Sequence, residues 1–411
     1  MHLLAILLQT CLFILGASKK VFKDYSDFRS NTYSSSLYGT WQNDEQFLYQ
    51  SGDSLYIHNV IDKTDQLYYK DARLADAYDV MVTPSALNTF VAQIVIQSDK
   101  KSGYTHYVDT YTYTIIDVTS GTTIWSESGI QKWIMPKKVD SDNVLMSYVK
   151  DFNVHVWHCS TQGYSCLKDG ITSHQITFDG LENVIFNGIT DWMYAVEITD
   201  DDALVWFNDD NTVLAYGTLD QNDVKMFEYQ VYGMDDSKIY PGMISFPYPS
   251  PGTKIPTTTV YFVDLETVLS GTFNQENFKT EEMRTTLIPS KEVQNWAAPS
   301  DGSQDEKLGY YLNIARWADA NSFEAQFKNR NENHAVTERC LFNFDPNFSY
   351  LGCDHNEGLV QQHVEKGWVG NYKPSNNMLF WVDLAFIIRV KQIKQRSFPS
   401  LEIIALKTGL V

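Results

Sequence analysis

Glu197 is the residue whose type and surroundings point most directly to chemistry. It lies in the segment NGITDWMYAVEI (residues 187–198), where the aromatic residues Trp192 and Tyr194 precede it and the apolar residues Ala195 and Val196 stand directly before it. A carboxylate at the end of a predicted strand is either a solvated edge charge or one side of a binding site for a cation. Residues 187–198 alone leave both interpretations open.

The cysteines are a second group with chemical potential. Cys11 lies in the N-terminal apolar run, and the other four form two close pairs, Cys159/Cys166 and Cys340/Cys353. Closing a short loop costs the least entropy, so in an oxidising compartment we predict the disulfides Cys159–Cys166 and Cys340–Cys353. Four reduced core cysteines are the alternative, and a zinc site is not expected because no histidine spacing completes it.

The N-terminus and one sequon indicate the secretory route. Residues 3–15 are almost entirely apolar, and small residues follow at 16–18, which predicts a cleaved signal peptide over residues 1–18. An uncleaved anchor is the alternative, and any membrane association would use this same apolar segment. Asn347 begins the glycosylation sequon Asn-Phe-Ser. We therefore predict a glycoprotein that is secreted or held on the extracellular face of the plasma membrane.

The charge balance excludes one class of partner. The 411 residues carry 32 Lys and Arg against 51 Asp and Glu, a formal net charge of −19. Binding of nucleic acid requires a positive surface, so no nucleic-acid partner is expected. An acidic surface instead attracts cations and peptide amino termini. No cofactor and no metal are predicted.

The elements that must position these residues are β-strands. Short runs rich in Tyr, Val, Ile and Thr, separated by turn-forming residues, predict strands within 104–118, 153–159 and 257–265. Alternation of period 2 in the first run places four residues on one face of its strand: Tyr107, Asp109, Tyr111 and Tyr113. Long amphipathic helices are not expected.

A degenerate repeat refines this fold class. Five similar stretches begin at Thr40, Val82, Trp133, Trp206 and Arg316. Each has a leading residue that is often Trp, then a polar turn, then an apolar strand, and their spacing fits blades of about 40–50 residues. The pattern predicts an all-β chain, an incomplete β-propeller of four-stranded antiparallel blades. A β-sandwich with chance similarity between turns is the alternative.

The last residues differ in composition from the rest. We divide the chain into the leader, a propeller region over residues 19–381, and an atypical tail over residues 382–411. The tail is basic and aliphatic, with one acid, Glu402, against Arg389, Lys391, Lys394, Arg396 and Lys407. A replaced or out-of-frame C-terminus is the favoured interpretation, and an amphipathic helix on a membrane surface is the alternative.

Four motifs in order carry a resemblance to a known family. They are ENVIFNGITDWMYAVEI (182–198), WFNDDNTVLAY (206–216), FEYQVYGMDDSKIYPG (227–242) and FPYPSPG (246–252). This series resembles the propeller domain of dipeptidyl peptidase IV and its relatives in the prolyl oligopeptidase family, and the similarity extends over residues 22–381. The resemblance implies an eight-bladed propeller followed by an α/β-hydrolase domain, and removal of X-Pro or X-Ala dipeptides from peptide amino termini. It also implies that some relatives are inactive and act by binding.

The resemblance assigns a role to the opening segment. In the family, an aromatic residue is followed by acids, two of which bind the α-ammonium group of the substrate. Here Tyr194 holds the aromatic position, Ala195 and Val196 replace acids, and Glu197 remains. The resemblance therefore implies the remnant of an amine-binding site at Tyr194 and Glu197, in a partly dry cavity.

Three further residues match pocket positions of the family. His106 or a neighbour stands where an Arg contacts the substrate carbonyl, Tyr372 matches an aromatic lining the pocket, and Lys373 replaces an Arg. The alternative for His106 and Tyr372 is that they are ordinary strand and interface residues.

Catalysis by this family requires G-x-S-x-G, and no such motif occurs in the 411 residues. We therefore predict no catalytic residue and no α/β-hydrolase domain. The favoured interpretation is a propeller portion that acts by binding peptide amino termini or another protein. Formation of oligomers is left open. The alternative is an incomplete form of a serine-type dipeptidyl peptidase.

Overall fold

The computed structural model describes the chain in fifteen segments, and most of the described residues are in strands. The segments are 39–41, 45–82, 93–102, 109–118, 120–135, 143–162, 165–199, 203–232, 240–297, 309–330, 334–343, 349–354, 362–363, 373–375 and 378–380. The chain divides into two compact units, residues 1–70 and residues 71–411.

The first unit contains one antiparallel sheet whose strands follow the chain order. The strands are β1 (Gly39–Trp41), β2 (Gln46–Ser51), β3 (Ser54–Asn59) and β4 (Thr64–Lys70). Leu48, Leu55 and Ile57 are buried. The turn between β2 and β3 contains Gly52 at φ +60°, a backbone conformation that glycine adopts without strain.

The second unit begins with a seven-stranded antiparallel sheet, again in chain order, preceded by a single 3₁₀ turn at Ala72–Leu74. Its strands are β5 (Asp79–Val82), β6 (Gln93–Lys101), β7 (Thr110–Asp117), β8 (Thr123–Ile134), β9 (Asn143–Lys150), β10 (Asn153–Gln162) and β11 (Ser165–Gln175). The alternation predicted for β7 is confirmed for Tyr111 and Tyr113, which are both buried, whereas Asp109 precedes the strand and is partly buried. Tyr107 lies outside the described residues.

The long strand β8 is shared by two four-stranded blades. Its first part pairs with β7 through Ile130, and its second part pairs with β9 from Ile130 onward, with register shifts at both places. Gly129 at φ +81° lies where the two parts meet. A bulge bends a strand, and glycine adopts a positive φ without strain. The seven-stranded sheet therefore consists of two four-stranded blades that share β8.

The next blade has a divided first strand. Its strands are β12 (Ile185–Asn187), β13 (Val205–Phe207), β14 (Val213–Asp220), β17 (Thr257–Asp264) and β18 (Thr285–Thr286). Both β12 and β13 pair with β14, at its two ends. Between β14 and β17 the chain forms a separate hairpin of β15 (Met226–Val231) and β16 (Gly242–Pro247).

Two short helices follow β17, and a further sheet follows them. The helices are α1 (Leu265–Leu269) and α2 (Lys291–Ala297). The sheet contains β19 (Tyr310–Trp317), β20 (Ser322–Asn329), β21 (His334–Asn343), β22 (Ser349–Asp354) and β23 (Gln362–His363), and a last hairpin contains β24 (Lys373–Ser375) and β25 (Met378–Phe380). No helix among the described residues has both the length and the apolar content to cross a membrane.

The five repeated stretches of the sequence occupy equivalent places in these sheets. Thr40, Val82, Trp133, Trp206 and Arg316 stand in β1, β5, β8, β13 and β19, and each of these strands pairs with the strand that follows it in the chain. The repeat therefore corresponds to a recurring pair of neighbouring antiparallel strands. The second unit buries an aromatic and aliphatic core between its sheets, which includes Val156, Tyr216, Phe262 and Phe323.

Candidate functional site

Between β12 and β13 the chain leaves the sheet, and the described residues of this excursion are 188–199 and 203–204. The bridge between Ile189 and Ala203 closes its base. The Gly188 N–H donates to the Gly217 carbonyl of β14 at 2.8 Å, and the Gly217 N–H donates to the Leu204 carbonyl at 2.7 Å. The excursion is thus held on β14 at both ends, in the middle of a blade.

The Asn-Gly pair of the NGITDW motif fixes this base rather than a hairpin turn. Gly188 has φ +74°, and a Cβ built on it would lie 2.6 Å from a methyl of Val154 and 2.8 Å from a methyl of Val205. The buried Asn187 side chain donates to Asp179 Oδ1 at 3.0 Å and accepts from Thr218 Oγ1 at 2.7 Å. Only glycine meets both the backbone conformation and the close packing at residue 188.

The segment with Glu197 is helical, which corrects the prediction of a strand end. Residues 192–193 are α-helical and Tyr194–Ile198 form a π-helical turn, in which the Thr199 N–H donates to the Tyr194 carbonyl at 2.8 Å. Asp191 Oδ1 accepts the Tyr194 N–H at 2.9 Å, as an N-cap residue does. This local side-chain contact competes with strand pairing and starts the turn.

Tyr194 anchors the turn to two neighbouring strands. Its side chain is fully buried, and burial raises its pKa well above the ordinary value for tyrosine. Its phenol oxygen lies 2.6 Å from Thr258 Oγ1 in β17 and accepts the Leu312 N–H of β19 at 3.3 Å. The ring also meets Tyr311 edge to face at 6.3 Å. The hydroxyl is therefore engaged within the protein.

Trp192 attaches the same turn to the β15–β16 hairpin. Its ring lies 4.7 Å from the ring of Phe246 and 5.7 Å from the ring of Tyr248, centroid to centroid. Aromatic pairs at such distances stabilise the fold by more than the burial of their apolar area alone. The turn is thus packed on several elements, and its position depends on all of them.

Glu197 stands on the exposed part of this turn. Glu197 is exposed, Val196 is 51% exposed and Ala195 is partly buried. Solvent therefore reaches the carboxylate, and no acid flanks it at residues 195 or 196. The turn therefore exposes one carboxylate, while the buried side chain of Tyr194 holds the turn in place. An exposed carboxylate in a fixed position can bind a cationic group.

Asp191 is a residue that sequence reasoning missed. It is 3% exposed, and its Oδ2 atom has no hydrogen-bond partner among the described residues. Burial raises the pKa of its carboxyl to about 7, although the backbone N–H of Tyr194 acts to lower it. The available signal was the Asp that stands three residues before Tyr194, which is the spacing of an N-cap to the amide it binds.

The other predicted pocket residues are not brought together with this site by the described structure. His106 and Tyr372 lie outside the described residues, as does Asn347. Lys373 begins β24, where its backbone pairs with Phe380. Within the described part of the chain, no group of three or more His, Cys, Asp or Glu is placed to hold a metal.

The structure describes the strand positions of all four paired cysteines, but only the side chain of Cys159. Cys159 is buried in β10 and is disulfide-bonded. Cys166 is in the neighbouring strand β11, and Cys340 and Cys353 are direct cross-strand partners in β21 and β22. The side chains of these last three lie outside the described residues, so the pairings Cys159–Cys166 and Cys340–Cys353 stay predictions.

Comparison with protein families gives one match that covers most of the chain. The family described as "Dipeptidyl peptidase IV (DPP IV) N-terminal region" matches residues 91–408. The matched range includes the whole excursion, and it extends into the tail set apart at residues 382–411.

Curated relatives are similar at low identity over a long range. Dipeptidyl peptidase 4 of Felis catus is 24% identical over 355 residues, 85% of this chain and 41% of its own. Prolyl endopeptidase FAP of Mus musculus is 25% identical over 358 residues, 84% of this chain and 40% of its own. Venom dipeptidyl peptidase 4 of Vespula vulgaris is 28% identical over 234 residues, 55% of this chain and 28% of its own. The chain spans about two fifths of the length of the first two relatives.

A solved structure supports the fold. The crystal structure of Porphyromonas gingivalis dipeptidyl peptidase 4 aligns with a TM-score of 0.59 at 16% sequence identity, over 90% of this chain and 52% of that chain. Together with the family match, this likeness confirms the predicted propeller of antiparallel blades.

Proposed function

Because the chain belongs to the family of the dipeptidyl peptidase IV N-terminal region, we propose that it binds the free amino terminus of peptides or proteins through Glu197. The observation that carries the proposal is the exposed carboxylate of Glu197 on a turn that Tyr194 fixes from its buried side. The chain acts in this proposal as a binding module and not as a peptidase.

The chemistry of the contact is that of a carboxylate with an α-ammonium group. An ammonium group donates up to three hydrogen bonds, and those to a carboxylate are stronger than neutral ones. One exposed ion pair contributes only about 0–1 kcal/mol, because water screens it. With uncharged Ala195 and Val196 beside Glu197, we expect weak binding whose affinity depends on further contacts of the peptide.

The absence of a nucleophile motif supports binding rather than cleavage as the role of these residues. None of the 411 residues belongs to a G-x-S-x-G sequence, which is where the family's serine nucleophile would stand. The proposal therefore assigns recognition to this chain and assigns hydrolysis to none of its residues.

A second candidate function follows from the names of the relatives. Several are dipeptidyl peptidases, so the chain is alternatively the propeller portion of a serine-type dipeptidyl peptidase that releases X-Pro or X-Ala. A transcript that continues beyond Trp381 into further blades and a G-x-S-x-G motif would favour this candidate over pure binding.

We place the protein outside the cell or on the extracellular face of the plasma membrane. Three features support this part of the proposal: the apolar run of residues 3–15, the two cysteine pairs and the sequon at Asn347. Secretion of the tagged chain from cultured cells, with a shift in mass after glycosidase treatment, tests it.

The binding proposal is tested with one peptide in two forms. The chain is expressed in a secretory host and titrated with a fluorescent Ala-Pro peptide carrying a free amino terminus, and with the same peptide N-acetylated. We expect the free form to bind several-fold more tightly in the wild-type protein. Glu197→Gln should remove this difference, because it removes the charge and keeps the shape.

The matched control is Glu266→Gln. Glu266 is also an exposed glutamate on a short capped helix, α1, so it tests the loss of one surface charge elsewhere in the second unit. We expect it to keep the preference for the free amino terminus. Equal binding of the free and acetylated peptides by the wild-type protein would overturn the proposal.

A further inference from the structure

Only one of the two oxygens of the buried Asp191 carboxyl has a hydrogen-bond partner among the described residues. Its Oδ1 atom accepts the Tyr194 N–H, whereas Oδ2 has no partner among the described residues although Asp191 is only 3% exposed. An ionised carboxylate in such a place loses its hydration without a compensating partner, which is costly. An uncharged carboxyl avoids most of that cost.

Asp264 caps another short helix in the same protein and leaves no buried oxygen without a hydrogen-bond partner. It precedes α1, and its Oδ2 atom accepts both the N–H of Thr267 at 2.9 Å and the Thr267 hydroxyl at 2.6 Å. It is partly buried. The two aspartates occupy the same place at the start of a short helical segment, so the orphaned and more deeply buried oxygen sets Asp191 apart.

The surroundings of Asp191 offer no positive charge among the described residues. The titratable group that interacts with it is the Tyr194 phenol, and burial keeps that phenol neutral by raising its pKa. The residues that hold the turn from the packed elements are also uncharged, namely Phe246 of β16, Thr258 of β17 and Leu312 of β19. Tyr311 of β19, whose ring meets the Tyr194 ring, is kept neutral because burial raises its pKa, and the cation Arg330 acts on that phenol and not on Asp191. Ionisation of Asp191 is therefore left without a local counter-charge.

We propose that Asp191 is a positioning residue: in its uncharged form it holds the turn of residues 192–198 closed and so fixes Glu197, and in its charged form it loosens the turn. The inference rests on the proposed function insofar as Glu197 is taken as the amine-binding group. Asp191 itself touches no ligand, because it is buried.

The mechanical link passes through Tyr194. The backbone of Tyr194 is held by Asp191, through its N–H, while its side chain is held by Thr258 and Leu312. A charged Asp191 is stabilised when water reaches its Oδ2 atom, and this requires the start of the turn to open. The ring then remains anchored while the backbone that leads to Glu197 loses its cap.

The size of the effect follows from linkage. With a pKa near 7 in the closed turn and an ordinary aspartate pKa in an open turn, the equilibrium for opening rises about tenfold between pH 6 and pH 8. Loss of the cap without a change in ionisation would give no such pH dependence.

Hydrogen–deuterium exchange measured by mass spectrometry tests the proposal directly. Exchange of the peptide covering residues 192–199 is measured at pH 6 and pH 8 and corrected for the intrinsic pH dependence of amide exchange. We expect opening to rise about tenfold in the wild-type protein and to stay nearly constant in Asp191→Asn, which keeps an acceptor oxygen and cannot ionise. The Asp264→Asn variant is the matched control and should behave as wild type at residues 192–199.

The wild-type protein also contains its own reference, in case Asp191→Asn folds poorly. Residues 265–269 of α1, capped by Asp264, should show no comparable rise in opening between pH 6 and pH 8. A rise of equal size in both segments, or none at residues 192–199, would overturn the proposal.

Peptide binding separates this proposal from the proposed function. The preference for the free over the acetylated peptide should fall between pH 6 and pH 8 more steeply in wild type than in Asp191→Asn, and titration of the peptide amine cancels in this comparison. A pH-dependent turn in a protein that binds no peptide would refute the amine-binding function alone. Peptide binding with the same pH profile in both proteins would refute the positioning role of Asp191 alone.

Discussion

The phenol oxygen of Tyr194 and the hydroxyl oxygen of Thr258 lie 2.6 Å apart, in a fully buried position. This hydrogen bond connects the excursion that carries Glu197 to strand β17, and the Leu312 N–H approaches the same phenol from β19. Tyr194 therefore determines where the turn stands relative to the blades of the second unit, whatever the exposed face of the turn binds.

The first prediction concerns this contact. Tyr194→Phe should lower the free energy of unfolding by about 1–3 kcal/mol, because it leaves a buried backbone N–H and a buried hydroxyl without this partner. Urea unfolding followed by circular dichroism measures the change. Tyr232→Phe is the control, since Tyr232 is 75% exposed, and it should change stability by less than about 0.5 kcal/mol. Equal effects of the two variants would show that the buried hydroxyl is not an anchor.

The second prediction concerns the glycine of the NGITDW motif. Gly188→Ala should destabilise the protein by about 3 kcal/mol, because a Cβ meets Val154 and Val205 and the backbone has positive φ. Thermal unfolding of purified proteins measures the effect.

Gly252→Ala is the matched control for Gly188→Ala. Gly252 has a similar φ of +79°, but no atom lies within 4 Å of the place of its Cβ. It should cost only the backbone strain, about 1–2 kcal/mol. If Gly188→Ala lowers stability no more than Gly252→Ala does, the side chains of Val154 and Val205 move aside to accommodate the added Cβ.

The third prediction is the dependence of stability on pH. The pKa of Asp191 is raised from 3.8 to about 7 in the folded protein, so the folded state binds the proton more tightly than the unfolded state. This contribution to stability is fully present below about pH 4 and is lost as the pH rises through 7. Between pH 5 and pH 8 it should amount to a loss of about 2–3 kcal/mol.

Two variants isolate this contribution. Stability curves of the wild-type protein and of Asp191→Asn, measured in urea from pH 5 to pH 8, should diverge toward high pH, because the wild type loses this contribution and the variant has no carboxyl at residue 191 to ionise. Asp264→Asn should keep the wild-type slope. Parallel curves for wild type and Asp191→Asn over this range would mean that Asp191 does not titrate there.

The fourth prediction concerns the cysteines. Cys159–Cys166 and Cys340–Cys353 should be disulfides, and the facing positions of Cys340 and Cys353 in β21 and β22 are compatible with a cross-strand bond. Peptide mapping of the secreted protein under non-reducing conditions should recover both pairs. Recovery of crossed pairs, or of thiols that react with iodoacetamide before reduction, would contradict the prediction.

The sequence by itself determined the strands, their repetition and the family. Alternation in β7 predicted the shared face of Tyr111 and Tyr113, because the side-chain period of a strand is local. The five repeats predicted the recurring pairs of neighbouring strands in the blades. Both signals lie within short windows of the chain, where the residues that decide the outcome are neighbours.

The tertiary structure alone decided how the excursion at residues 188–204 is built. Its π-helical turn, the burial of Tyr194 and the orphaned oxygen of Asp191 depend on partners far away in the sequence: Thr258 lies 64 residues and Leu312 118 residues from Tyr194. The apolar run before Glu197 resembles a strand locally, but packing against β17 and β19 buries Tyr194 in a turn instead. Burial, and with it the charge state of a carboxyl, is a property of the assembled blades and not of any short segment.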